Sequence, residues 1–264
     1  ALTPLFIVGF PRSGTTLLEQ MLGCHPLIVP CGELETSIER EASSPGYPDS
    51  LTTLNEKDRQ SRLAALRADY LATLLSHTGH APAARYASDK LPLNLMRIGL
   101  IRLLFPEARI IHVLRHPLDA VLSAYFTPFL FGNEWSLRLP DAAHMFVQSW
   151  QHAQQMRTLP DIHFLRIRYE DLVTEPELTL GKALEFLDLP WEPKCLAFHE
   201  NKRVTRTASY AQVSQALYQS SKNRYDHYLG CIDPETLALL KPVIVEAGYA
   251  VNAAKIPPAS CSED

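Results

Sequence analysis

An excess of charge of either sign is the first thing this 264-residue chain lacks. Its 25 Lys and Arg stand against 29 Asp and Glu, a net charge of −4. A balance that close to neutral leaves no electrostatic footprint for nucleic acid or an anionic membrane surface, so any anion site must be local. No apolar run approaches the ~18 residues expected of a membrane span, and no basic stretch, apolar core and cleavage site spell a signal peptide at the N-terminus. The five cysteines (Cys24, Cys31, Cys195, Cys231, Cys261) form no C-x-x-C pair and no zinc spacing, and the ten histidines show no ligand spacing. There is also no N-x-[ST] acceptor. An odd cysteine count without such an acceptor predicts a reducing, cytoplasmic location, with a Cys24–Cys31 bridge left open. The sequence has no internal repeats. It starts almost directly on an apolar strand, which predicts a domain excised from a longer chain with an upstream part.

What is present is organised around the stretch from Leu5 to Glu33. Leu5 to Val8 has strand length and ends on Gly9, followed by the turn Gly9-Phe-Pro-Arg-Ser-Gly14. Thr15 and Thr16 then open a helical pattern with Leu17, Leu18, Met21 and Leu22 on one side. Strand, glycine turn and helix aim free backbone N–H groups and the positive helix end at a phosphate. The spacing follows the phosphate-loop pattern G-x-x-x-x-G-K-[ST], except that Thr15 stands where Lys belongs, and the positive charge sits inside the turn on Arg12. That departure argues against ordinary nucleoside-triphosphate hydrolysis.

Further along, Thr36–Thr53 reads as a helix end and loop, and Asn55–Ser76 as an amphipathic helix with Leu63, Leu66, Tyr70 and Leu74 on its apolar side. A short strand from Tyr86 runs into the turn at Lys90–Asn94, and helix-like sequence follows from Leu93 to Phe105. Ala108–Leu114 is a buried strand by its apolar density. Arg115-His-Pro117 ends it, before a helix from Leu118 to about Thr127. Pro128–Pro140 reads as a loop whose Phe129, Phe131 and Trp135 form a mobile lid or plug the core. A helix at Asp141–Leu159 and a strand at Ile162–Ile167 come next. Thr174-Glu-Pro-Glu177 reads as a capping box that opens a helix to Leu187, and Asp233 caps a last helix ending near Gly248. Strands separated by helices throughout predict an α/β fold, a P-loop-type parallel β-sheet flanked by helices on both faces. Residues 1–250 form one domain on this reading, with 251–264 a flexible tail. Ligands in such sheets sit beyond the carboxyl ends of the strands, where Gly9–Thr16, Lys90, Arg115 and Tyr169 all fall.

A second anion motif is Arg115-His-Pro-Leu-Asp119-Ala-Val-Leu-Ser123. A guanidinium fork leaving a strand and a hydroxyl inside the next helix can together hold a phosphate. The alternative is local: Asp119 pairs with a neighbour and Ser123 is a small packing residue. FIVGFPRSGTTLL taken with IIHVLRHPLDAVLSAY resembles the two nucleotide motifs of the sulfotransferases, which use 3′-phosphoadenosine 5′-phosphosulfate (PAPS). HP…CGE, SDK, IRYEDL and the late TASYAQV…SSKNRY extend the resemblance over most of the chain. It points in particular to the tyrosylprotein sulfotransferase-like group and its bacterial, tetratricopeptide-repeat-associated relatives.

The resemblance implies that Arg12, Ser13, Gly14, Thr15 and Thr16 hold the 5′-phosphosulfate. It gives the 3′-phosphate to Arg115 and Ser123, with Tyr169 closing on the nucleotide and Ser209 and Arg224 as late contacts. Glu33 matches the catalytic base and Lys90 the lysine that stabilises the bridging oxygen. The blander alternatives are a helix-end carboxylate for Glu33 and a solvated surface lysine for Lys90. No metal is implied, because the strand before Arg115 ends on a cation rather than on a magnesium ligand. The acceptor is a hydroxyl of a small molecule, carbohydrate or peptide. The tyrosylprotein group places an arginine two positions after its catalytic glutamate, whereas this chain has Glu35 there, which counts against acidic peptides. The resemblance favours a homodimer. Two rival readings are a small-molecule kinase on the same loop, which would want Lys after Gly14, and a non-catalytic nucleotide-binding interaction domain, which would need neither Glu33 nor Lys90.

Overall fold

Four consecutive fully buried residues, Leu5, Phe6, Ile7 and Val8, make β1 (Thr3–Gly9) the middle of the molecule. Such a run belongs to a strand covered on both faces. Leu5 and Ile7 join the core on one side and Phe6 and Val8 the core on the other. The computed structural model describes residues 2–79, 83–129, 132–200 and 222–250. The other strands are β2 (Ile28–Pro30), β3 (Tyr86–Asp89), β4 (Arg109–Leu114) and β5 (His163–Arg168), in the spatial order β2-β3-β1-β4-β5. Every pairing is parallel.

The described helices are α1 (Thr15–Leu22), α2 (Ser37–Ala42), α3 (Asp49–Thr52), α4 (Glu56–Thr78), α5 (Ile98–Leu104), α6 (Pro117–Tyr125), α7 (Leu139–Met156), α8 (Tyr169–Thr174), α9 (Pro176–Phe186) and α10 (Pro234–Glu246). On one face, α1, α8 and α9 cover Leu5, Ile7, Ile111, Val113 and Ile167. On the other, α4 and α5 cover Phe6, Val8 and Ile110. Phe10 and Leu114 extend the core into a third cluster with α6, α7 and α10. The chain leaves β1 toward β2 and leaves β4 toward β5. Since β1 and β4 are neighbours, the connections diverge between them, and that crevice is where such sheets take ligands.

The structure departs from the sequence reading at several places. β2 is only three residues long, too short for any period to show, and the stretch Thr36–Thr53 folds as α2 and α3 rather than as loop. Leu93–Phe105 opens with a 3₁₀ helix (Pro92–Arg97) before α5 begins. The capping box at Thr174 does not form: the Thr174 hydroxyl donates back to the Glu170 carbonyl and closes α8, and α9 starts after Glu175 with no side-chain cap. In the Pro128–Pro140 segment Phe129 and Trp135 turn inward, Trp135 lying 5.2 Å from the Phe10 ring, and α7 already starts at Leu139. Phe131, the tail 251–264 and Ser209 lie outside the described residues. The Cys24 and Cys31 thiols donate to the backbone carbonyls of Gln20 and Val29. Among the described residues no helix is long and apolar enough to cross a membrane.

Phe6 packs against Tyr70 at 5.6 Å and Phe105 at 6.3 Å between ring centroids, with no exposure. Phe6→Ala is expected to cost about 3–5 kcal/mol, a large share of the ~5–15 kcal/mol that holds an ordinary domain folded. Leu178→Ala, on the exposed side of α9, should stay within about 0.5 kcal/mol. Urea denaturation checks both through the midpoint, with the slope unchanged.

Candidate active site

The loop between β1 and α1 is made by two residues in the left-handed region. Arg12 has φ 70° and Gly14 φ 103°. For arginine this conformation is strained and has to be held by its surroundings. Arg115 does part of that work, its Nη1 donating to the Arg12 carbonyl at 3.1 Å. At Gly14 a side chain is excluded, because a Cβ would lie 2.5 Å from the Tyr169 ring. α1 begins at Gly14 with no side-chain cap, which leaves its first-turn N–H groups without a capping oxygen from the residue that starts the helix. The Ser13 hydroxyl turns inward. It is 1% exposed, has no hydrogen-bond partner among the described residues, and lines a cavity of about 10 Å³ with Phe10, His112 and Ser149, the room of a single water. Of the loop residues Ser13 therefore makes the weakest case for touching a ligand through its side chain.

The second anion motif meets the first. Arg12 Nε lies 3.4 Å from Ser123 Oγ, across 111 residues of sequence. Arg115 is 6% exposed, its guanidinium sits 4.9 Å over the Tyr169 ring, and its Nη2 is 3.9 Å from Asp119 Oδ2. Arg115, Ser123 and Arg224 line one cavity with Asp119, Phe126 and Tyr228. Asp119 would repel an anion there if it were not occupied. Its Oδ1 accepts from the Tyr225 N–H at 2.8 Å and its Oδ2 from the Asn223 N–H at 2.9 Å. Burial raises its pKa, against the pull of Arg115 and these two N–H groups. Asp119 thus anchors the segment that presents Arg224, whose guanidinium rests 5.9 Å from the Phe126 and Tyr228 rings. The sequence reading considered Asp119 only as a local capping or pairing group. A partner a hundred residues away leaves no mark in local spacing.

Lys90 and Glu33 come together at the end of β3. Lys90 Nζ donates to Glu33 Oε1 at 2.5 Å; the lysine side chain is fully buried and that of the glutamate 40% exposed. Both blander alternatives fail on this geometry. Lys90 is not on the surface, and Glu33 precedes α2 by four residues rather than opening it. Glu35 is exposed. Beneath the pair, Tyr70 Oη and Asn94 Nδ2 both donate to Asp89 Oδ2 at 3.2 Å. Burial pushes the Asp89 pKa up to about 7; the Tyr70 bond opposes this, and the charge of Glu19 adds to it.

Two more carboxylates that the sequence did not single out as functional hold the frame. Glu19 Oε1 accepts from the Gly32 N–H and from Ser88 Oγ. Glu170 accepts from the His116 N–H through Oε1 and from Tyr249 Oη through Oε2. The only signal for Glu19 was a carboxylate among the leucines and methionine of TTLLEQML. His112, inside β4, accepts from Arg166 Nε at 3.3 Å, and burial lowers its pKa to about 3, helped by the Arg166 charge. Among the described residues no three His, Cys, Asp or Glu side chains cluster as metal ligands.

Asp89 gives the site a pH signature. Its folded pKa is about 7, above the ordinary 3.8, so between those values the folded state holds a proton that the unfolded state has released. Stability contributed by this group is present below pH ~4 and is lost as pH rises toward 7. Asp89→Asn is expected to flatten the fall in Tm across that window and to leave the protein more stable than the parent at pH 8. A thermal-melt series from pH 4 to 8 checks it; an unchanged slope removes Asp89 as the source.

A model of the sulfotransferase family matches residues 4–193. The chain is 34% identical over 245 residues to an uncharacterized protein of Aquifex aeolicus, a match that covers 86% of this chain and 31% of that protein. It is 26% identical over 272 residues to protein-tyrosine sulfotransferase A of Caenorhabditis elegans, covering 94% of this chain and 68% of the worm protein. The chain thus spans about a third of the length of the Aquifex protein. Among solved structures, the sulfotransferase domain of the Synechococcus PCC 7002 olefin synthase has a TM-score of 0.64 at 21% identity, covering 95% of this chain and 96% of that domain, which shows a shared fold. With both nucleotide motifs inside the stretch matched by the family model, the chain belongs to the sulfotransferase family.

Proposed function

We propose that this chain transfers a sulfuryl group from PAPS to the hydroxyl of an acceptor, with Glu33 as the base. The donor set fits the two charged ends of such a nucleotide. Arg12, the first-turn N–H groups of α1 and the Thr15 and Thr16 positions face the 5′-phosphosulfate. Arg115, Ser123 and Arg224, gathered around one small cavity, supply the two guanidinium groups and the hydroxyl for the 3′-phosphate, with Tyr169 packed against the Arg115 guanidinium. Ser209 is assigned to the nucleotide by resemblance alone. The acceptor oxygen attacks sulfur in line and its proton passes to Glu33. A new S–O bond forms as the bond from sulfur to the bridging phosphate oxygen breaks. That oxygen leaves with the electron pair as part of adenosine 3′,5′-bisphosphate, beside Lys90. Placement and positive charge on the moving group do most of this work, as in phosphoryl transfer.

The pairing of a fully buried Lys90 with Glu33 carries this reading. A nucleotide-binding module needs neither group, and burying an ammonium is costly without a partner and a purpose. A kinase on the same loop would need a lysine where Thr15 stands and a magnesium-holding acid where β4 delivers Arg115. Protein-tyrosine sulfotransferases are among the relatives, but Glu35 offers an acidic peptide no attraction, so a neutral or basic acceptor fits better.

Glu33→Gln should leave bisphosphate affinity nearly intact and lower transfer by a factor of about 10²–10⁴, the usual share of a general base. Near-normal turnover would move the base elsewhere, first to Glu35. Arg115→Ala should weaken adenosine 3′,5′-bisphosphate far more than AMP, since truncating one partner of a buried charged pair costs about 2–5 kcal/mol. Equal losses by calorimetry would take Arg115 off the 3′-phosphate. Transfer should also survive EDTA; a loss restored by magnesium would revive the kinase reading.

A further inference from the structure

Glu19 is a carboxylate in the wrong place for stability. It sits in the middle of α1, 1% exposed, on a helix whose residues are all buried. Oε1 is well used, accepting from the Gly32 N–H at 2.9 Å and from Ser88 Oγ at 2.7 Å, but Oε2 is buried with no hydrogen-bond partner among the described residues. No salt bridge to it is present among the described residues. A buried carboxylate with half its acceptor capacity unused is destabilising, and an aliphatic side chain would pack there at less cost. Something other than stability accounts for it.

Its two partners say what. Gly32 immediately precedes Glu33, and Ser88 stands two residues before Lys90 on β3. The same two segments are zipped by backbone bonds, Cys31 N–H to the Ser88 carbonyl at 3.1 Å and Lys90 N–H to the Gly32 carbonyl at 2.8 Å. Parallel pairing with β1 fixes β3 along the sheet, and the Glu19 carboxylate adds a direct side-chain tie from both segments to α1, the helix that opens from the phosphate loop. One side chain therefore links the element that faces the phosphosulfate to the segments carrying the base and the lysine.

We propose that Glu19 is a positioning residue for sulfuryl transfer, setting Glu33 and Lys90 against the phosphate loop through Gly32 and Ser88. The proposal rests on the reading in which Glu33 and Lys90 perform the transfer. Glu19 touches neither substrate nor the moving group, so its loss should appear in rate and not in nucleotide affinity. A displacement near 1 Å at a reacting group can lower a rate by about a hundredfold.

The test measures release of adenosine 3′,5′-bisphosphate from PAPS with p-nitrophenol as acceptor, water serving as acceptor in the blank, and bisphosphate affinity by calorimetry. Glu19→Ala is expected to lower kcat by about 10- to 100-fold while bisphosphate affinity and KM for PAPS hold. Glu19→Gln keeps a carbonyl oxygen for the same two donors and should recover most of the rate. Ser88→Ala removes one donor and should show a smaller loss of the same kind; it decides the matter if Glu19→Ala fails to fold. The proposal is overturned if Glu19→Ala or Ser88→Ala turns over like the parent, if Glu19→Gln is as slow as Glu19→Ala, or if rate and affinity fall together, which is the mark of a merely structural helix residue. Failure of the underlying reading looks different: the parent protein would not bind the bisphosphate, or Glu33→Gln would transfer normally.

Discussion

Parallel pairing of β1 with both of its neighbours is the constraint on which the whole carboxyl edge depends. Phe6 lies opposite Asp89 and Gly9 opposite Val113, so the residues that follow β1, β3 and β4 emerge at one end of the sheet. The side-chain period of a strand is two, and a slip of one residue would send Leu5 and Ile7 to the wrong core. The two hydrophobic faces of β1 therefore lock the register, and the register delivers Arg12, Lys90 and Arg115 to the same edge. Packing in the core is what places the charges.

Those charges are then handled one by one. A near-neutral protein cannot draw an anionic nucleotide by its overall field, so it concentrates cations locally and saturates the acids among them. Asp119 faces Arg115 but has its oxygens taken up by two N–H groups of the chain near Tyr225. Glu170 is filled by His116 and Tyr249, and that contact, with His116 stacked 4.2 Å from Tyr225, ties the residues after Gly248 to the start of α6. Asp119 and Glu170 are structural fasteners whose oxygens are occupied by the chain itself. Glu33 differs: one oxygen is on Lys90 and the side chain is 40% exposed, open to a partner outside.

The loop also departs from that of nucleoside-triphosphate enzymes of similar layout. The cation that those enzymes carry on the first turn of the helix is replaced here by Arg12 in the strained turn itself, held by Arg115 through its carbonyl. Moving the charge from the helix into the turn couples the two anion motifs directly, through the Arg12–Ser123 contact at 3.4 Å. The conformation of the loop and the placement of the second motif become one interaction rather than two.

The alternation of the longer strands with helices, the phosphate loop and the Arg115–Ser123 motif are legible in the chain before it folds, because they are local: apolar runs, glycine spacing, and a cation or hydroxyl at a fixed offset from a strand end. The roles given to Glu33 and Lys90 come from resemblance to the sulfotransferases. Asp233 is legible as a helix cap too, since a cap bonds within its own first turn. The rest is settled in three dimensions. β2 exists because Ile28–Pro30 finds the edge of β3, and Thr174 fails as a cap because α8 claims its hydroxyl for the Glu170 carbonyl. The inward turn of Ser13 depends on the space beside Gly9 and His112. Glu19, Asp119 and Glu170 show what they hold only once residues 13 to 106 positions away are folded against them. A hydrogen bond between distant segments leaves no periodicity behind, so these three carboxylates could be assigned only from the folded molecule.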